Sequence, residues 1–127
     1  MPIATEITFR LPNSPGALAE VCHTLARERV GILALMLETG GRLRLVVDNE
    51  VRARGVLQES RHRLDTRQVL VVRTANTAGA IAPLLTLVAD AGVNVEYAYA
   101  AAGEGSSTAT IVLGVDDAPR AAMAAGL

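Results

Sequence analysis

The sequence contains no lysine and no tryptophan, one cysteine, and only three aromatic residues, Phe9, Tyr97 and Tyr99. Each scarcity excludes a class of chemistry. Without lysine there is neither a Schiff-base amine nor the ammonium of a phosphate loop. A lone Cys22 rules out an internal disulfide framework and any multi-cysteine metal cluster. Three aromatics are too few for a surface that grips single-stranded RNA by stacking. The net charge of −1 argues against attachment to nucleic acid by bulk electrostatics. No apolar run approaches the roughly 18–20 residues of a membrane span, and the N-terminus lacks the basic start and apolar stretch of a signal peptide. The expectation is a cytoplasmic protein without nucleic-acid or membrane partners, metal or cofactor.

What is present points to a well-packed globular chain. Of 127 residues, 50% are hydrophobic and 20% charged, enough apolar surface for a core in one ordinary domain or two very small ones. All 12 basic residues are arginine, and they are unevenly spread. Up to Arg73 there are eleven arginines against eight acids; beyond it, Arg120 faces five acids.

An internal repeat organises the chain. Shifting the sequence by 63 places Leu18, Val21, Cys22, Leu25 and Ala26 on Ile81, Leu84, Leu85, Val88 and Ala89. These positions follow the i, i+3, i+4, i+7, i+8 spacing of one buried helix face. Asn13 falls on Asn76, Gly16 on Gly79, Val30 on Val93 and Ile32 on Val95. Five further residues of shift bring Leu43, Leu45, Val47 and Asp48 onto Ile111, Leu113, Val115 and Asp116, with the extra length around Gly103–Ser107.

Each repeat reads strand, Asn/Gly-containing turn, amphipathic helix, a strand hairpin, and a second helix. This order predicts an α+β fold of two ferredoxin-like βαββαβ units packed together, over 1–66 and 67–127, with antiparallel sheets and helices on one face. Leu64–Thr74 has to supply both the last strand of unit one and the first of unit two. The second unit lacks a clear fourth strand, so an open edge is expected there, or one covered by the other repeat or a second chain. Tyr97 and Tyr99 are expected on one side of their strand with Val93 and Val95.

The turn Leu11–Leu18 is the most informative segment. Asn13 or Ser14 suits a helix cap and Pro15 a first turn, while Gly16 lets a ligand approach the main chain. The first amides of a helix are unpartnered and carry partial positive charge, so they can receive a carboxylate. The same local pattern also describes an ordinary helix start. Elsewhere, Cys22 reads as a packed thiol, Asp116–Asp117 as a cap for the last helix, and Arg52, Arg54, Arg61 and Arg63 as a solvated helix face or an anion or partner patch.

An Asn-x-Pro-Gly-x-Leu turn after a first strand, then an amphipathic helix, then Ala91-Gly92-Val93-Asn94-Val95 opening the next strand, resembles the ACT domain family. With its duplication, the chain is similar to tandem ACT proteins over nearly its whole length. The resemblance implies a non-catalytic, allosteric regulatory protein, not an enzyme. It would bind a small ligand, usually an amino acid, at helix-start turns between paired units. Carried over by residue, the ligand-binding set is Asn13, Pro15, Gly16, Ala17 and Leu18 in the first copy, and Asn76, Gly79, Ala80, Ile81 and Asn94 in the second. A homodimer is the expected assembly. The alternative is a regulatory or interaction subunit of an amino-acid biosynthetic enzyme that binds no metabolite itself.

Overall fold

The two repeats build the same elements at the offsets that the sequence gives. The computed structural model describes residues 2–127. The first copy comprises β1 (Ile3–Arg10), α1 (Ala17–Arg27), β2 (Ile32–Leu37), β3 (Arg42–Val47) and α2 (Glu50–Glu59). The second comprises β4 (Asp65–Ala75), α3 (Ala82–Asp90), β5 (Val95–Ala101), β6 (Thr108–Val115) and α4 (Ala118–Ala124). The architecture is α+β, with two ferredoxin-like units.

The chain divides into two compact units, one of Thr5–Arg67 and one that joins the residues before Thr5 to Gln68–Leu127. Both boundaries fall inside strands. β4 is a single uninterrupted strand of 11 residues, whose first three count with the first unit and the rest with the second. One long strand thus does the work that the sequence reading needed two short ones for. Among the described residues no strand follows α4, so the second unit has no fourth strand of its own. The Val71 N–H donates to the Pro2 carbonyl at 2.7 Å, and Ile3 packs against the second core. The beginning of the chain therefore covers the strand β4 beside it and stands in for the missing fourth strand.

In the first unit β3 pairs antiparallel with both β1 and β2; in the second β6 pairs likewise with β4 and β5. The register matches copy to copy: Leu35 opposes Leu45 as Ala98 opposes Leu113, and Leu37 opposes Leu43 as Ala100 opposes Ile111. Residues directly opposite share a face, so the buried Leu43 and Leu45 fix which side carries the helices. The first core joins Ile7, Phe9, Leu43 and Leu45 of the sheet to Val21 and Leu25 of α1 and Ala53 and Leu57 of α2. The second joins Leu70, Val72, Ile111 and Leu113 to Val88 of α3 and to Ala118, Ala121 and Ala122 of α4. Cys22 is half-buried on α1 and outside the buried core.

A bulge follows the first residue of each outer strand, between Ile32 and Ala34 and between Val95 and Tyr97. An extra residue there reverses the alternation of faces. As a result Val93 and Val95 belong to the helix-side core, whereas Tyr97 opposes Gly114 and Tyr99 opposes Val112 on the other face. The two tyrosine rings stack with centroids 6.5 Å apart. The expectation that all four residues share one side is corrected by this bulge.

Short polar bonds fix the start of each outer strand. The Gly31 N–H donates to Asp48 and the Asn94 N–H to Asp116, at 2.9 and 3.1 Å. Asn49 caps α2 and Asp117 caps α4, each accepting from the amide three residues on, at 3.1 Å. All four helices end by donating amides back to earlier carbonyls through a residue with positive φ. In the second unit these residues are Gly92 and Gly126, the usual choice. In the first unit they are Arg29 (φ 58°) and Arg61 (φ 68°), a conformation that costs an L-residue about 1–2 kcal/mol.

Candidate functional site

The first helix start is built by a turn, not by a capping side chain. Gly16 adopts φ 85° and is itself the N-cap, with no side-chain cap. The expectation that Asn13 or Ser14 caps α1 is therefore corrected: with Gly16 left-handed, Ser14 uses its carbonyl, which accepts from Ala17 N–H at 3.3 Å. Pro15 accordingly precedes the helix instead of occupying its first turn. Glu20 N–H reaches back to the Gly16 carbonyl at 2.9 Å, which leaves the amides of Leu18 and Ala19 without a protein acceptor among the described residues. Such groups stay solvated unless a ligand supplies the oxygen.

A cleft of about 430 Å³ opens on these amides. Asn13, Gly16, Ala17, Leu18 and Ala19 form one wall, and the β2–β3 hairpin from Leu37 to Gly41 forms the other. The volume suits a small ligand. The hairpin is held down by the Leu11 N–H, which donates to the Gly41 carbonyl at 2.7 Å, and by Arg10, which donates to the Gly40 carbonyl at 2.8 Å. Gly41 has φ 92°, and a Cβ there would collide with the Leu11 carbonyl, so only glycine lets the tip close on β1. The Asn13 side chain makes no hydrogen bond among the described residues and faces the open cleft. Thus four of the five first-copy candidates line one cavity; Pro15 shapes the turn beside it. The hairpin wall was missed from the sequence, whose strand hairpin in each repeat implied a turn but not what that turn would face.

The second copy repeats the turn but uses it differently. Gly79 has φ 79°, and Ala80 N–H donates to Thr77 as Ala17 does to Ser14. The helix then begins only at Ala82, with Ile81 as N-cap and Pro83 in its first turn, so Ala80 and Ile81 lie outside it. Proline removes one amide from that turn. The Asn76 side chain is occupied: it donates to the carbonyls of Ser106 at 2.9 Å and Gly103 at 3.3 Å, tying down the longer β5–β6 loop. Asn94 stands at the opposite end of the same unit. Asn76 N–H is bound to Ser107 and Asn94 N–H to Asp116, the residues flanking β6. Nine residues of strand at about 3.3 Å each put them roughly 30 Å apart. Within this unit the structure does not bring Asn94 together with Asn76, Gly79, Ala80 and Ile81.

Among the described residues no group of three His, Cys, Asp or Glu side chains could hold a metal ion, and no helix is long and apolar enough to cross a membrane.

No family model matches the sequence, and no curated protein matches it significantly. Solved structures do. Protein BT0572 from Bacteroides thetaiotaomicron is similar with a TM-score of 0.87 at 25% identity, over 97% of this chain and 86% of that one. The ligand-free regulatory subunit of aspartate kinase from Thermus thermophilus is similar with a TM-score of 0.72 at 18% identity, over 99% of this chain and 91% of that one. Aspartokinase III of E. coli, in complex with lysine and aspartate, is similar with a TM-score of 0.57 at 21% identity, over 87% of this chain and 27% of that one.

Proposed function

We propose that this chain, a tandem protein of the ACT fold, is a non-catalytic regulatory protein that binds an amino acid at the start of α1. One observation carries the reading: the unpartnered amides of Leu18 and Ala19 open into a 430 Å³ cleft at the point where Gly16 leaves the main chain uncovered. Two adjacent amides at a helix start hold a carboxylate with charge-assisted hydrogen bonds. The side-chain oxygen of Asn13 on the wall supplies an acceptor for the ammonium. The fold shared with aspartate kinase regulatory subunits supports regulation of a biosynthetic enzyme as the output. Binding then shifts that enzyme by no more than the ligand's difference in affinity between two states.

Thermal melting against each common amino acid tests the site. A ligand at about 100 times its Kd adds ~2.7 kcal/mol, which raises Tm by several degrees in a chain of this size. Flat curves for all of them would remove the sensor reading and favour an interaction subunit that clamps a biosynthetic enzyme without a metabolite.

The assembly that fits is a homodimer through β2. This strand pairs only with β3 among the described residues, and Leu33, Leu35 and Leu37 are 62, 41 and 43% exposed along it. An apolar, unpaired edge of this kind invites a second strand, and Leu37 also lines the cleft. Leu35→Arg is expected to convert a dimer into a monomer in sedimentation equilibrium; a monomeric wild-type protein at tens of micromolar would dispose of the dimer.

A further inference from the structure

A second cleft, of about 360 Å³, lies in the Thr5–Arg67 unit where β1 ends, β3 begins and α2 passes into β4. Four guanidinium-bearing residues line it: Arg10, Arg42, Arg61 and Arg63, with Asp65 as the one carboxylate. Of the four arginines from Arg52 to Arg63, two face elsewhere: Arg54 pairs with Glu50 at 2.7 Å and Arg52 with Glu28 at 3.4 Å. Arg61 and Arg63 have no ion pair among the described residues. Arg42 has only a long contact of 3.9 Å to Glu38, and Arg10 is spent on the Gly40 carbonyl.

Charge is held together here against its own preference. Arg10 and Arg42 are directly opposed across the β1–β3 pair, where like charges repel. Arg61 sits at positive φ at the C-terminal turn of α2, where the second copy has Gly126. His62, packed on Phe9 with ring centroids 4.6 Å apart, fixes the chain between Arg61 and Arg63 so that both line the same cavity.

We infer that this cleft binds a small molecule bearing a diphosphate or similarly charged phosphate group. Guanidinium forks match phosphate oxygens two at a time. Four cations against one carboxylate leave three positive charges, more than an amino acid's single carboxylate can balance. The volume admits a metabolite, and a cleft of this size on a chain of net charge −1 is not a nucleic-acid track. The site shares no ligand with the α1 cleft, and either can fail alone.

The test is calorimetric titration of the full chain with inorganic pyrophosphate at low ionic strength, with citrate and salt-matched sodium chloride as controls. Saturable binding of pyrophosphate is expected, weakened by about tenfold or more in each of Arg61→Gly and Arg63→Gln. Arg29→Gly relieves the same backbone conformation outside the cleft and should leave the affinity within about twofold of wild type. Heats no larger than those of sodium chloride, equal binding of citrate, or binding unchanged in Arg61→Gly and Arg63→Gln would each overturn the inference.

Discussion

Replacing Arg44 with alanine is expected to destabilise the protein by about 3–5 kcal/mol, lowering Tm by about 10 °C or more. Glu6 is a wholly buried carboxylate in the middle of β1, and Arg44 on β3 meets it at 3.2 Å. Arg44 is itself mostly buried and lies 3.6 Å from Glu38 on its other side. Removing the guanidinium takes a charge-assisted partner away from a side chain that is wholly buried, and that loss exceeds anything an exposed pair can lose. Arg52 and Glu28, both about half-exposed, should cost less than about 1 kcal/mol when broken. The decisive variant is Arg44→Ala combined with Glu6→Gln. An amide needs no counter-charge, so the double variant should be more stable than Arg44→Ala alone. Urea unfolding of the four proteins gives the answer, and strictly additive losses would show that the pair is not an electrostatic unit.

Much of this fold is legible in the sequence because duplication doubles every signal. Val21, Leu25, Val88, Leu45 and Leu113 occupy core positions that periodicity assigns, and Asp48 and Asp116 recur because each clamps the start of an outer strand. What escaped was whatever depends on one extra residue or on a distant segment. The bulge before Tyr97 moves that ring to the far face, and no composition rule marks it. The strand-like run from Ile3 continues past the unit to which it nominally belongs, so the edge cover at Val71 could not be assigned locally. The candidate site was half legible. The Asn13–Leu18 turn announced unpartnered amides, but the opposing hairpin wall and the distance of Asn94 from Asn76 follow from strand direction. Pro83 and the occupied Asn76 side chain separate two copies whose turn sequences look alike. Between a solvated helix face and an anion or partner patch the sequence cannot choose for Arg61 and Arg63, because the positive φ that ends α2 and the cleft beside it are invisible without coordinates.

That asymmetry between copies leads to the sharpest functional comparison. Gly16→Val and Gly79→Val impose the same backbone burden, since both glycines have φ near 80° and open space where a Cβ would go. Each should therefore cost a comparable 1–2 kcal/mol, and neither should unfold the chain. Their effects on an amino-acid ligand should differ completely. At Gly16 the isopropyl group enters the cleft beside the Leu18 and Ala19 amides, so the ligand-dependent rise in Tm should vanish. At Gly79 the neighbouring Asn76 is already tied to the β5–β6 loop and the helix starts at Ala82 with Pro83, so the rise should persist. Differential scanning fluorimetry of both variants across a ligand titration separates the cases, because each variant serves as the other's stability control. Loss of the response in Gly79→Val with retention in Gly16→Val would move the site to the second unit. Loss in both would mean that the copies bind together, and that the free amides at α1 are not sufficient by themselves.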